Sequence, residues 1–259
     1  MAARLLGATM RLKSEASIDN LDHPFAQGAF RWVQKGRYTA GQRVGQACVC
    51  KWFKSGCTFE ETFYSDDIKA SEKATHIVEQ WNQQHFINKK IQLNQPEVWT
   101  FKQGSRYAGQ KHLIEPFIEN WQKFNSNSGW VSYEITAWND VMQALSHYSY
   151  HVSSGQFVLC DLQGGVYRHS AVLSDSVIMS RRRGSYGVTD LGPEGISNFF
   201  YHHQCNEYCR SGWSQPRETH GHYQPREGTT MEQVSTRQSR PVQSLHAVQE
   251  YSSSSSDDY

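Results

Sequence analysis

The densest group of chemically versatile side chains lies in block 187–209, GVTDLGPEGISNFFYHHQCNEYC. His203, Cys205 and Cys209 form a His-x-Cys-x3-Cys pattern, and imidazole and thiolate groups are preferred zinc ligands. We predict one helix that carries all three, with the two cysteines one turn apart. A structural zinc site normally has four ligands, so a fourth must come from elsewhere, and His147 is the best candidate. The alternative is a core histidine beside two buried thiols.

Three glycines, Gly187, Gly192 and Gly195, precede these metal-type residues. Glycines that open a helix let backbone N–H groups approach a phosphate closely. The adjacent glycines and metal pattern therefore predict a nucleotide-using domain that is stabilised by a metal ion. The alternative is that Gly192-Pro193-Glu194-Gly195 is only a turn into the helix.

Lys51 lies in the apolar segment QACVCKWF. If this segment is a strand, Lys51 shares a face with Ala47 and Val49, because side chains alternate along a strand. A buried, unpaired ammonium is costly, so the lysine needs an anionic partner, and a nucleotide phosphate would serve. The alternative is an edge lysine whose charged end reaches water.

Asp161 follows the apolar run FVLC, with Gln163 two residues later and Asp175 in LSDSVIM. A carboxylate at the end of a buried strand is held at a fixed place, which suits catalysis or metal binding. Mg²⁺ prefers oxygen ligands of this kind. The alternative is that both aspartates are turn or cap residues.

Short strands and one helix are predicted for the first half of the chain. The strand patterns are 29–39, 46–53, EVWTF and KHLIEPFI. A helix is predicted to begin at Ser65-Asp66-Asp67, with an apolar face at Ala70, Ala74, Ile77 and Trp81. We therefore expect a small, mostly β lobe that holds one long helix.

The second half begins near Asn125. One predicted helix has Trp138, Val141, Met142 and Leu145 on one face and His147 towards its end. FVLC, residues 157–160, is predicted as a buried strand, and a last helix leads to the metal pattern.

Composition limits the possible functions. The net charge of +1 over 259 residues gives no general field for nucleic acid, and no apolar stretch reaches the ~18 residues of a membrane helix. Six cysteines, two of them in metal-type spacing, indicate a reducing compartment, and we expect a cytoplasmic protein. Residues 1–24 are predicted to be a disordered lead-in, and residues 214–259, poor in aliphatic clusters, a disordered tail.

Taken together, four segments resemble the alpha-kinase family of atypical protein kinases. They are LIEPFIENWQKFNSNSGW, ALSHYSYH, QFVLCDLQGG and YGVTDLGPEGISNFFYHHQCNEYC. The resemblance covers residues 25–213 and implies a two-lobed, protein-kinase-like α+β fold, with an N-lobe at 25–118 and a C-lobe at 119–213. It implies a structural zinc site in the C-lobe and transfer of the ATP γ-phosphate to serine or threonine of a protein substrate.

The resemblance also implies a role for each candidate residue. Lys51 would bind ATP phosphates, Glu115 would lie in the lobe-linking segment that holds adenine, and Asp161 would orient the substrate hydroxyl. Gln163 and Asp175 would bind magnesium. The family's glycine-rich loop near the cleft would contain Gly187, Gly192 and Gly195, and its zinc site would comprise His147, His203, Cys205 and Cys209.

This chain also departs from the family pattern. It carries the extra residues VYRHSAVL before Asp175, has Ser174-Asp175-Ser176 where Thr-Asp-Pro is usual, and has an Arg181-Arg182-Arg183 run. These differences leave open a pseudokinase that binds nucleotide or partners without turnover. A zinc-dependent nucleic-acid-binding module is a third possibility, against which the near-neutral charge counts. For an active kinase, loss of Asp161 is expected to abolish transfer and to spare the fold.

Overall fold

The computed structural model describes residues 14–231. Its elements divide between an antiparallel sheet from the first half of the chain and smaller sheets with helices from the second. In chain order these elements are β1 (Glu15–Ile18), β2 (Ala26–Gln27), β3 (Arg31–Ala40), β4 (Ala47–Phe53), a 3-10 helix (Glu61–Tyr64), α1 (Ser65–Gln83), β5 (Lys90–Leu93), β6 (Glu97–Thr100), β7 (Lys111–Pro116), β8 (Trp121–Lys123), α2 (Ala137–Val152), β9 (Phe157–Cys160), β10 (Gln163–Val166), β11 (Ser170–Leu173), β12 (Val177–Ser180) and α3 (Gly192–His202).

The first lobe is built on a six-stranded antiparallel sheet. Its order is β1-β3-β4-β7-β6, with β2 paired to β3, and the four strands expected from the sequence are confirmed as β3, β4, β6 and β7. In the register of β4 and β7, Lys51 lies opposite Leu113 and Val49 opposite Glu115. Because side chains alternate, Lys51 and Glu115 emerge on the same face as diagonal neighbours.

Helix α1 begins at Ser65 as predicted, and its apolar face is confirmed. Ala70, Ala74, Ile77 and Trp81 are all buried. The face does not belong to the core of the first sheet, however. It packs into a larger core with α2, β9, β11 and β12, so α1 is anchored to the second lobe.

The second lobe combines a four-stranded sheet, β5-β11-β10-β8, a two-stranded sheet, β12-β9, and helices α2 and α3. The predicted strand 157–160 is confirmed as β9. Strand β5 comes from the first half of the chain and pairs in parallel with β11, so the two halves interlock. Within the described residues, no helix is long and apolar enough to cross a membrane.

Both predicted disordered termini are partly wrong. Strand β1 lies inside the expected lead-in and pairs with β3 from Glu15 to Ile18. Residues 214–231 lie inside the expected tail, yet they are hydrogen-bonded to the second lobe by groups that include Asn127, Ser128 and Asn198. The remaining parts of both predictions, residues 1–13 and 232–259, lie outside the described residues.

Candidate active site and metal centre

Lys51 is the centre of an ion cluster that is buried at Lys51 and Glu115 and open to solvent at Asp175, whose side chain is 45% exposed. Its ammonium pairs with Glu115 and, at 2.5 Å, with Asp175, and it donates a 3.3 Å hydrogen bond to the Ser174 hydroxyl. Ser174 donates a 2.7 Å hydrogen bond to Glu115. Only 8% of the Lys51 side chain is exposed, which rules out the edge-lysine alternative. The serine in place of the family's usual threonine keeps the hydroxyl that connects the cluster.

The cluster keeps its charges. Burial acts to lower the pKa of Lys51, but the carboxylates of Asp175 and Glu115 outweigh it and raise the pKa above its ordinary value. Burial acts to raise the pKa of Asp175, but the Lys51 ammonium holds it below its usual range. The site therefore presents the Lys51 ammonium and the Asp175 carboxylate at neutral pH.

The Glu115 side chain contacts Lys51. It belongs to β7, is 2% exposed and has its carboxylate turned to Lys51. Adenine binding at Glu115 therefore stays a prediction that only its backbone groups could fulfil. The strand register that creates the Lys51–Glu115 pair was not apparent from the separate segments.

Asp161 lies directly after β9, in a left-handed backbone conformation with φ of 57°. Its carboxylate is 1% exposed and pairs at 2.9 Å with Lys123 from the end of β8. Burial raises the pKa of Asp161, while Lys123 and a hydrogen bond from Thr229 oppose that shift. The sequence analysis did not identify Lys123 as a site residue. Its only indication in the sequence is its place in the segment NWQKFNSNSGW, one of those that resemble the family.

The residues between Gln163 and Asp175 form the hairpin β10–β11, which accounts for the extra VYRHSAVL. Its return strand brings Asp175 back beside Gln163, whose side-chain nitrogen donates to Asp161 and to the Asp175 carbonyl, both at 3.3 Å. Gly164 permits this pairing, since a Cβ there would overlap the Val172 carbonyl oxygen. The insertion therefore leaves the three predicted polar residues together.

The predicted glycine loop is organised by a buried carboxylate. Asp190, 1% exposed, accepts hydrogen bonds from the backbone nitrogens of Ser180 and Gly192 at 2.9 and 3.0 Å. The Met179 side chain fills the space that a Cβ at Gly195 would need. A Cβ at Gly187 would lie 3.2 Å from Asp66 of α1. These glycines therefore allow close packing of the loop. Their contact with a nucleotide stays a prediction, and only their backbone groups could make it.

The basic run Arg181-Arg182-Arg183 holds two different turns. Arg181 Nε donates to the Gly155 carbonyl at 2.7 Å, between α2 and β9, and Arg183 Nε donates to the Leu191 carbonyl at 3.2 Å, directly before α3. Arg183 therefore fixes the turn before α3, and Arg181 fixes the turn after α2.

His147, His203, Cys205 and Cys209 form one cluster whose candidate ligand atoms all lie within 4.8 Å of one another. Cys205 Sγ lies 3.6 Å from His147 Nδ1 and 3.7 Å from His203 Nε2, and Cys209 Sγ lies 3.7 Å from His203 Nε2. Ordinary zinc–nitrogen and zinc–sulfur bonds at a tetrahedral angle place N and S about 3.6 Å apart. Three of the six distances between candidate ligand atoms thus match a tetrahedral site, and His147 is the fourth residue of the cluster, as predicted.

A hydrogen bond fixes the His147 imidazole for metal binding, and burial keeps both imidazoles neutral. His147 Nε2 donates to the Ser214 carbonyl at 3.2 Å, which leaves Nδ1 with its lone pair towards the cluster. Burial lowers the pKa of His147, and burial with a smaller contribution from His147 lowers the pKa of His203 to about 4. Both rings are therefore neutral at pH 7, the form that binds a metal ion.

One part of the metal prediction is wrong. Helix α3 ends at His202, with His203 as its extended C-cap, so Cys205 and Cys209 lie in the following loop. The shared helix was not needed, because the loop turns back towards α2. The predicted ligand set is unchanged.

The chain has a two-lobed, protein-kinase-like α+β fold. One lobe is an antiparallel sheet, the other combines small sheets with helices, and the cleft contains the buried Lys51–Glu115 pair, Asp161 and Asp175. A model of the alpha-kinase family matches residues 26–209. This chain therefore belongs to the alpha-kinase family.

Similar proteins include alpha-protein kinase vwkA of Dictyostelium discoideum, 29% identical over 75% of this chain and 31% of that protein. Eukaryotic elongation factor 2 kinase of Rattus norvegicus is 28% identical over 77% of this chain and 27% of that protein. The chain thus spans about a third or less of these relatives. An alpha kinase from Entamoeba histolytica has a similar fold, with a TM-score of 0.67 at 20% identity, covering 84% of this chain and 85% of that one.

Proposed function

We propose that this protein is an ATP-dependent protein kinase that transfers the γ-phosphate to serine or threonine of a protein substrate. The observation that carries the proposal is the convergence of Lys51, Asp161 and Asp175 from separate elements into one polar cleft, with Lys51 and Asp161 buried and Asp175 open to solvent. Relatives named as protein kinases support it. So do solved alpha-kinase domains of myosin heavy chain kinase A in complex with ADP or with ATP.

Each side chain has a part in phosphoryl transfer. Lys51 would bind phosphate oxygens, and Glu115 would keep its ammonium in place. Asp161 would accept the proton of the attacking hydroxyl, with Lys123 fixing the carboxylate's orientation. In such reactions, positioning and charge neutralisation supply most of the rate enhancement.

The charges around Lys51 favour a divalent cation as cofactor. Its ammonium faces two carboxylates, so the cluster alone does not neutralise a triphosphate. Asp175 and Gln163 offer carboxylate and amide oxygens, the donors that Mg²⁺ prefers. When bound, Mg²⁺ would neutralise charge on the transferred phosphoryl group.

We also propose that the His147–Cys209 cluster holds a structural zinc ion. The support is a set of four candidate ligands, two nitrogens and two sulfurs, within 4.8 Å of one another, which is the number that a structural zinc site uses. All six cysteines lie in the described residues and are unpaired, which fits a reducing compartment and the proposed cytoplasmic location.

The pseudokinase alternative rested on the altered residues around Asp175. Because the hairpin returns Asp175 to Lys51, that observation now favours the active kinase. The test is transfer of labelled γ-phosphate to a generic basic protein with magnesium, comparing wild type with Lys51→Ala. Lys54→Ala is the matched control, because Lys54 is exposed and bonds Gln27 outside the cleft. We expect Lys51→Ala to lose transfer and Lys54→Ala to keep it; wild-type protein without transfer would refute the proposal.

A further inference from the structure

The segment at the C-terminal end of the described residues covers the proposed catalytic carboxylate. Thr229 Oγ1 donates a 2.7 Å hydrogen bond to Asp161 Oδ2, while Asp161 Oδ1 pairs with Lys123 at 2.9 Å. A substrate hydroxyl must come within hydrogen-bond reach of the group that takes its proton. A protein substrate can therefore reach Asp161 Oδ2 only after Thr229 has left it.

Two side chains hold the main chain of this segment. Asn127 Nδ2 donates to the Thr230 carbonyl at 2.7 Å, and its Oδ1 accepts from the Thr230 nitrogen at 2.8 Å. Ser128 Oγ accepts from the Arg226 nitrogen at 3.0 Å and donates to the Arg226 carbonyl at 3.2 Å. We call Asn127 and Ser128 the backbone clamp, and residues 226–230 the covering segment.

The clamp has a fixed place in the second lobe. Asn125 precedes it by two residues, and its Oδ1 accepts from the Leu162 nitrogen at 2.8 Å, directly after Asp161. Asn198 Nδ2 donates to the Ser128 carbonyl at 2.9 Å. These bonds do not involve the covering segment. The position of the clamp relative to the carboxylate therefore does not depend on that segment.

The clamp binds atoms that other polypeptides also carry. All four of its hydrogen bonds to the covering segment go to main-chain nitrogens or carbonyls. Among the described residues, a Cβ at Gly228 would meet no atom within 4 Å, so the position before Thr229 has room for a side chain. A different polypeptide with a serine or threonine in the place of Thr229 could therefore make the same contacts.

We propose that the backbone clamp holds a protein substrate by its main chain, and that the covering segment occupies this site as an internal competitor. The acceptor hydroxyl of a bound substrate takes the place of the Thr229 hydroxyl at Asp161. Asn127 then binds the N–H and C=O of the residue that follows the acceptor. Proline, which has no N–H, is excluded at that position. The inference rests on the proposed kinase function and specifies how its substrate is bound.

The first test weakens the covering segment and leaves the clamp intact. Thr230→Pro removes the N–H that Asn127 accepts. With magnesium, labelled ATP and a generic basic protein, the KM for that protein should fall roughly 5- to 30-fold, as expected for one or two hydrogen bonds, and the KM for ATP should not change. Thr230→Ala keeps the N–H and is the matched control. A folded Thr230→Pro protein with unchanged KM would overturn the internal competition.

Asn127→Leu tests the clamp itself. In the wild-type chain Asn127 holds the covering segment and the substrate alike, so its loss should change the KM for the protein little. In the Thr230→Pro chain only the substrate uses the clamp, so adding Asn127→Leu should raise that KM roughly 5- to 30-fold. Equal effects in the two chains would overturn the assignment.

A synthetic peptide decides the matter if Asn127→Leu does not fold. It copies residues 224–233 with Thr229→Val and Thr230→Ala, and it should inhibit the Thr230→Pro chain in competition with the protein substrate but not with ATP. Methylation of the peptide nitrogen at position 230 should raise its Ki roughly 5- to 30-fold. An equal Ki would overturn the clamp and leave the kinase function standing. Absence of transfer by the wild-type chain and every variant would overturn both.

Discussion

Replacing Asp161 by asparagine is expected to impair folding and catalysis for separable reasons. The Asp161–Lys123 pair is nearly dry, with 1% and 7% of the two side chains exposed and an N···O distance of 2.9 Å. Asparagine keeps the shape but removes the ion-pair partner of the Lys123 ammonium, and breaking such a buried pair costs about 3–5 kcal/mol. At roughly 2–4 °C per kcal/mol, the Tm should fall by about 6–20 °C.

Lys123→Met in the same chain removes the stranded charge. Neutral replacement of a whole buried pair is often without cost, so the Asp161→Asn/Lys123→Met protein should regain most of the lost Tm. It should not regain transfer, because no carboxylate accepts the hydroxyl proton, a loss of about 10²–10⁴ in rate. Calorimetry and transfer rates on the same preparations decide this. A single variant with wild-type Tm, or a double variant with wild-type rate, would refute the reasoning.

Three further results are expected. Transfer should disappear as pH falls through the raised pKa of Asp161, since only the ionised carboxylate accepts a proton; an acid limb of kcat/KM at or below the ordinary 3.8 would contradict this. Freshly purified protein should contain zinc by elemental analysis, chelation should lower its Tm, and Cys209→Ser should lose the metal while exposed Cys57→Ser keeps it. Gly164→Ala should lower the free energy of unfolding, measured in urea, by about 1–3 kcal/mol or more. Gly212→Ala should leave it unchanged, because open space surrounds Gly212.

The sequence was informative where one local pattern defined a residue's surroundings. Strand alternation marked Lys51 as a charge on an apolar face, and the position after β9 marked Asp161. Their partners were not predictable in this way. Glu115 and Lys123 approach through the pairing of strands that are distant along the chain, and that register appears only in the folded sheets. The expectation that loss of Asp161 spares the fold was made without knowledge of the buried Asp161–Lys123 pair, because that pair depends on the strand register.

The prediction from composition was wrong for residues 214–231, because composition reflects the burial of apolar surface and not hydrogen bonding to the rest of the fold. Residues 214–231 contain few aliphatic side chains, so burial of apolar surface did not predict their placement. Their order comes from hydrogen bonds to buried side chains such as Asn127 and Asn198. Such contacts depend on a receiving surface assembled by other parts of the chain.

The metal cluster has a topological consequence. His147 and Cys205 are 58 positions apart, and both Asp161 and Asp175 lie between them. A metal ion bound there would act as a cross-link that closes this loop. By analogy with a disulfide of that span, closure would remove about 4 kcal/mol of conformational freedom from the unfolded chain. An ion that touches no substrate would thus restrict the very stretch of polypeptide that contains both cleft aspartates.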